Sequence, residues 1–150
     1  MKKFVWRLQR LLDIKTKQEE SMRAELVAIT EQAVSLRGRI MMQKTILRRM
    51  LAEMEEKEGS QRLAEQEFFF KYAHISDERI KKLEEQLAEV EKLRREKIKE
   101  LMVIRKYRKG LEKLREKAKT EYLIEQNAYE QKDLDEKTNM SIAREIIRQS

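Results

Sequence analysis

Counting alternately three and four residues forward from Leu12 gives Leu12, Lys15, Glu19, Met22, Leu26, Ile29, Ala33, Leu36, Ile40, Gln43, Leu47, Met50 and Met54. Ten of these thirteen positions are apolar. A seven-residue repeat kept over that length is the seam of a coiled coil. Between Phe4 and Lys57 only Gly38 interrupts the helix-forming run, which predicts a first helix over about residues 3–57. Gly59 is comfortable at positive φ and Ser60 can cap a new helix, so a turn is expected over about 58–61. Ala73 to Asp77 is a second candidate turn, without a glycine. The second helix is expected over about 61–148, with Leu83, Leu87, Val90, Leu101, Ile104, Leu111, Ala118, Tyr122 and Tyr129 in one phase. Leu93, Ile98 and Leu114 stand one position off, which predicts a stripe that drifts around the helix.

The fold class that follows is all-α, a long antiparallel two-helix coiled coil forming a single unit with a C-terminal helical overhang. With the turn at Gly59, residues whose numbers sum to about 118 face one another, placing Leu8 beside Gly110. The paired part is then a rod on the order of 80 Å long. Everything after about Lys117 lacks a partner, and a lone helix of that length is marginal in water. In the middle of the seam, Lys15 and Glu19 are expected across from residues near Lys97 and Lys99. Such charges either sit in the seam and fix its register or snorkel past it into water.

Composition agrees with this reading. Of 150 residues 42% are charged, three are glycine and none is proline, which disfavours a compact domain with ordinary loops. The absence of cysteine removes disulfides, thiolate zinc sites and cysteine nucleophiles together, and is compatible with a reducing cytosol. Met1-Lys2-Lys3 ahead of Phe4-Val5-Trp6 could open a secretory signal, but Arg7, Gln9, Arg10 and Asp13 interrupt the apolar run. No stretch approaches the roughly 20 apolar residues of a membrane span, so membrane insertion is not expected. The net charge of +7 is uneven, since Glu91 to Lys119 carries thirteen Lys or Arg against five Glu. A basic stretch of this kind attracts nucleic acid, an anionic membrane or an acidic protein surface without choosing among them.

Catalysis needs groups converging in a shielded pocket, which two helices do not enclose. His74 has no cysteine and no second histidine with which to share a metal, and a surface or packing role is the simpler account. Gly38, Gly59 and Gly110 are isolated, which excludes a phosphate-cradling loop. No catalytic, cofactor-binding or metal site and no small-molecule substrate is expected. The run Phe68-Phe69-Phe70 with Tyr72 says more, because successive helical residues point about 100° apart and one seam cannot bury all three rings. Phe69 belongs to the seam, near Met50. Phe68, Tyr72 and Ile75 then form an outer flank that can dock into a protein groove, unless the turn covers these rings locally. At the other end Phe4, Trp6, Leu8, Leu11 and Leu12 are expected to meet Tyr107, Leu111 and Leu114. Their simplest role is to close the coil, and Trp6 could also anchor a partner.

Three segments together carry a resemblance. They are Phe4-Val5-Trp6-Arg7-Leu8-Gln9-Arg10-Leu11-Leu12-Asp13, Arg108-Lys109-Gly110-Leu111-Glu112-Lys113-Leu114 and Glu130-Gln131-Lys132-Asp133-Leu134-Asp135-Glu136. In order, spacing and total length the chain resembles FliJ, the small coiled-coil component of flagellar type III export, with the likeness vaguest between Met41 and His74. The resemblance implies a cytoplasmic protein, peripheral at the cytoplasmic face of the flagellar base and similar in shape to the gamma shaft of rotary ATP synthases. It implies the export ATPase ring, the cytoplasmic domain of the export gate and export chaperones as partners, and no nucleotide site. By analogy with a shaft, the overhang and the neighbouring termini enter the ring. Trp6, Arg94, Arg108, Arg115, Tyr122 and Tyr129 are the candidate ring contacts, and an acidic or polar ring lining would meet the basic stretch. Phe68, Tyr72 and Ile75 are assigned to the gate from position and exposure alone.

The rival from another class is a basic coiled coil that follows a nucleic-acid backbone. It predicts steep salt dependence. It is disfavoured because the basic stretch lacks interleaved stacking aromatics and any groove-reading motif. A filament or membrane-surface helix is disfavoured because basic residues do not segregate opposite one bulky apolar face.

Overall fold

In the computed structural model, which describes residues 3–57 and 59–149, two helices pack against each other in antiparallel order. They are α1, Gln9–Glu55, and α2, Ser60–Gln149. There is no strand among the described residues. Met1 and Lys2 of the considered signal, and Glu58 of the expected turn, lie outside them. Contacts group the residues into a hairpin unit, Glu19–Val103, and a terminal unit, Met1–Gln18 with Ile104–Ser150.

In the hairpin unit the chain reverses at Gly59, whose φ of 78° is the left-handed conformation that costs glycine least. The Lys57 amide donates to the Met54 carbonyl at 3.3 Å, closing the end of α1. The Arg62 amide donates to the Gly59 carbonyl at 3.2 Å, so Gly59 is the first acceptor of α2 and Ser60 lies inside the helix. An ion pair from Lys57 to Glu65 spans the turn. Ala73 to Asp77 is continuous helix, and Ser76 within it is almost fully buried at 1% exposure.

The seam of α1 keeps the seven-residue repeat throughout, and every position in the line from Leu12 to Met54 is buried or half-buried. Leu12, Ile29, Ala33 and Ile40 are its buried apolar positions. Of the three positions read as off the stripe Ile98 is half-buried, yet the α2 stripe as a whole does not drift. Buried and half-buried positions continue in the same three-and-four rhythm through Ile80, Leu101 and Leu111, and the places between are taken by Arg94, Lys97, Arg108 and Arg115. Leu93 and Leu114 point outward, 41% and 52% exposed. Each long basic side chain lays its stem along the seam and carries its charge to a polar partner at the rim, which is why the repeat tolerates it.

Register is also shifted from the expected sum of about 118. The cross-helix pairs Gln43–Ser76 and Arg37–Glu91 sum to 119 and 128, with Lys97–Glu25 between them at 122. Side chains lean toward the N-terminus of their own helix, so those that meet come from positions further along both chains than the backbones that face each other. Extended arginine and lysine side chains add the rest.

Lys15, Glu19 and Lys97, expected near one another in the middle of the seam, each have a contact within their own unit. Glu19 is buried, 3% exposed, and takes a 2.8 Å ion pair from Arg23 one turn on. It does not snorkel. Lys15 sets its ammonium 4.9 Å from the Tyr107 ring centroid, and Lys97 reaches Glu25 at 3.2 Å.

In the terminal unit α1 starts at Gln9, later than the expected start near residue 3. Lys3, Val5 and Arg7 are exposed while Phe4, Trp6 and Leu8 are half-buried, an alternation that a helix does not produce. The Gln9 amide hydrogen goes to the Trp6 carbonyl at 3.1 Å. The Phe4 ring lies 5.5 Å from that of Tyr122, so this segment extends the packed part of α2 to Tyr122, past the Lys117 limit read from the sequence. From residue 127 to 149 every position is exposed.

Candidate functional site

Two surfaces carry the candidate residues. On the hairpin unit, Phe69 is half-buried and borders a shallow cleft of about 210 Å³ with Met50, Met54 and Phe68, closed on one side by Lys57 and Glu65. Phe68 stacks on Tyr72 with centroids 6.5 Å apart and planes 18° from parallel, and Phe68 remains 63% exposed. Ile75 continues this flank, 49% exposed and one turn on from Tyr72. The three residues assigned to the gate are therefore together, with Tyr72 the least accessible.

A second apolar flank was not singled out from the sequence. Leu63 and Phe70 are 67% and 61% exposed, and Phe70 meets Phe69 edge-on at 6.0 Å. Their seven-residue separation, which returns a helix to the same side after two turns, was the available signal. Beside these rings the Lys57 ammonium titrates above its ordinary range, mainly because it donates a hydrogen bond to Glu65 and feels that carboxylate's charge. His74 is exposed, 3.4 Å from Glu78. No group of three His, Cys, Asp or Glu able to hold a metal is found among the described residues.

The six residues assigned to the ring divide differently. Arg94 belongs to the hairpin unit, where its Nε donates to Thr30 Oγ1 at 3.1 Å. The others lie in the terminal unit. Arg108 bonds Glu112 at 2.7 Å. Arg115 donates to Gln9 Oε1 at 2.8 Å, with its guanidinium carbon 5.7 Å from the Phe4 ring centroid. Tyr122 meets Phe4, and Trp6 is half-buried in the segment ahead of α1. Only Tyr129, 72% exposed, stands on the bare part of α2, which also presents Leu134, Met140, Ile142 and Ile146. On the packed part of α2 in this unit the basic residues facing outward are instead lysines, and Lys106, Lys109, Lys113 and Lys117 share one side of the helix, opposite its seam.

No helix among the described residues is long and apolar enough to cross a membrane. A family model described as the flagellar FliJ protein matches residues 3–146. No curated protein and no solved structure matches the chain.

Proposed function

Because the chain belongs to the FliJ family of flagellar export-related proteins, we propose that it is held in the export ATPase ring and links that ring to the export gate and to export chaperones. It performs no chemistry of its own in this role, and it works at the cytoplasmic face of the flagellar base. The observation that carries the ring contact is the exposed stretch 127–149 of α2, a continuous helix with apolar side chains turned to water. An isolated helix of this length is marginal, so a cavity that receives it supplies the missing cover. Tyr129 is the direct contact in this reading. Trp6, Arg108, Arg115 and Tyr122 act beside it by fixing where the bare helix begins, and Arg94 supports the hairpin unit through Thr30.

The flank of Phe68, Tyr72 and Ile75 is the proposed gate contact. Exposed aromatic surface on a helical pair is the usual anchor for a partner's groove, and Leu63 and Phe70, on the other side of the seam, stand apart from it. Truncation after Gln126 is expected to abolish stimulation of the export ATPase while leaving the melting of the helix pair unchanged. Full stimulation by the truncated chain refutes the ring contact. Replacing Phe68 and Tyr72 with alanine is expected to weaken gate binding and spare ATPase stimulation.

A further inference from the structure

Residues 1–18 and 104–119 carry fourteen Lys or Arg against three Asp or Glu, while the remainder of the chain has 21 against 25. The net positive charge of the chain therefore comes from these two stretches, and the remainder is slightly acidic. The positive charge is not confined to one side. Lys106, Lys109, Lys113 and Lys117 are exposed on the outer face of α2, and Arg10 and Lys17, seven residues apart, are exposed on the outer face of α1, with Arg7 just before it. The arginines between the helices are not part of this belt, since Arg108 and Arg115 are tied to Glu112 and Gln9. Directly beyond the belt the sign reverses: residues 120–136 hold six acidic side chains, from Glu121 to Glu136, against Lys132 alone, all of them exposed.

We infer that this alternation sets how far the terminal unit enters its partner, and that the partner encloses it with carboxylate-rich walls at the belt and a basic band at residues 120–136. The inference rests on the ring reading above and adds to it the chemistry of the lining. Two properties of the charge lead there. Cations on opposite outer faces can be neutralised together only by a surface that surrounds the helix pair, since screening removes attraction beyond roughly 8–10 Å in physiological salt. A uniform polyanion, whether nucleic acid or a lipid surface, would neutralise the belt and be repelled by the acidic band next to it. A banded enclosure satisfies both. Sliding α2 by the length of one band brings like charges together, so a single depth is favoured.

The test uses the full-length chain and the export ATPase, with affinity measured over a salt series. One variant carries Lys106→Gln, Lys109→Gln, Lys113→Gln and Lys117→Gln; a second carries Arg7→Gln, Arg10→Gln and Lys17→Gln; a third carries Glu121→Lys, Glu125→Lys and Glu130→Lys. All are exposed positions, and circular dichroism confirms that the helices persist. Each variant is expected to bind at least about tenfold more weakly at low salt, with the differences closing as salt rises. The third alone is expected to gain affinity for a DNA duplex, used as a uniform polyanion. If the wild-type chain fails to bind the ATPase, the ring reading and this one fall together. If it binds and all three variants match it, or only one outer face matters, the banded enclosure is wrong while the ring contact stands.

Discussion

The Ser76 hydroxyl donates to the Gln43 side-chain oxygen at 3.2 Å across the hairpin, from a serine that is only 1% exposed. This hydrogen bond joins two seam positions of the hairpin without a charged group. Ser76→Ala leaves the Gln43 amide short of its partner and is expected to cost about 1 kcal/mol, read as a lower urea midpoint. Replacing both residues with leucine is expected to raise the midpoint but loosen the register. Cross-linking of cysteines placed at neighbouring seam positions checks this, and a double variant that keeps a single cross-linked register contradicts the assigned role.

Leu111 and Leu114 separate an in-phase seam from a drifting one. Leu111 is 5% exposed and Leu114 52%. Leu111→Ala is expected to destabilise the chain by roughly 2–4 kcal/mol, and Leu114→Ala to stay within about 0.5 kcal/mol of wild type. Equal costs in thermal melts count against the single phase.

The glycines are predicted to respond with opposite signs. Gly59 has positive φ, so Gly59→Ala is expected to cost about 1–2 kcal/mol. Gly38 and Gly110 lie inside helices, and an added methyl group at either would meet nothing within 4 Å beyond the backbone of its own helix turn and its chain neighbours. Alanine at either position is expected to stabilise by about 0.5–1 kcal/mol. Chemical denaturation of the three single variants decides.

Lys97 links stability to alkaline pH. Its ammonium is held above the ordinary lysine value, first by the hydrogen bond to Glu25, then by the charges of Glu100 and Glu25. A group whose folded value is raised contributes fully below its unfolded value, about 10.4 for lysine, and loses that contribution as pH climbs through the folded value. Glu25→Gln is therefore expected to lower the urea midpoint near about pH 8 and to converge with wild type above the lysine range. A gap that persists unchanged at high pH argues against this pair as its source.

The seam of α1 was legible from Leu12 to Met54 because the repeat is unbroken and mostly apolar, and a period is a global property that survives a few polar members. The same logic misled on α2. With Arg94, Lys97, Arg108 and Arg115 at seam positions, counting apolar residues shifted the stripe toward Leu93 and Leu114. Amphipathic basic side chains satisfy a seam by their stems, which a hydrophobic count cannot register. For the candidate sites, residue type marked Phe68 and Tyr72 correctly as neighbours on one flank. Residue type alone does not tell whether an arginine faces a partner or its own second helix, so Arg94 and Arg115 could be located only through Thr30 and Gln9.

The contact of Phe4 with Tyr122 makes the N-terminal segment a ruler for the opposite end of the protein. How much of α2 is left bare is decided by how far residues 3–8 run alongside it. The reach of the tail is thus written at the start of the chain. Shortening or displacing those few residues lengthens the naked helix without altering a single residue in it.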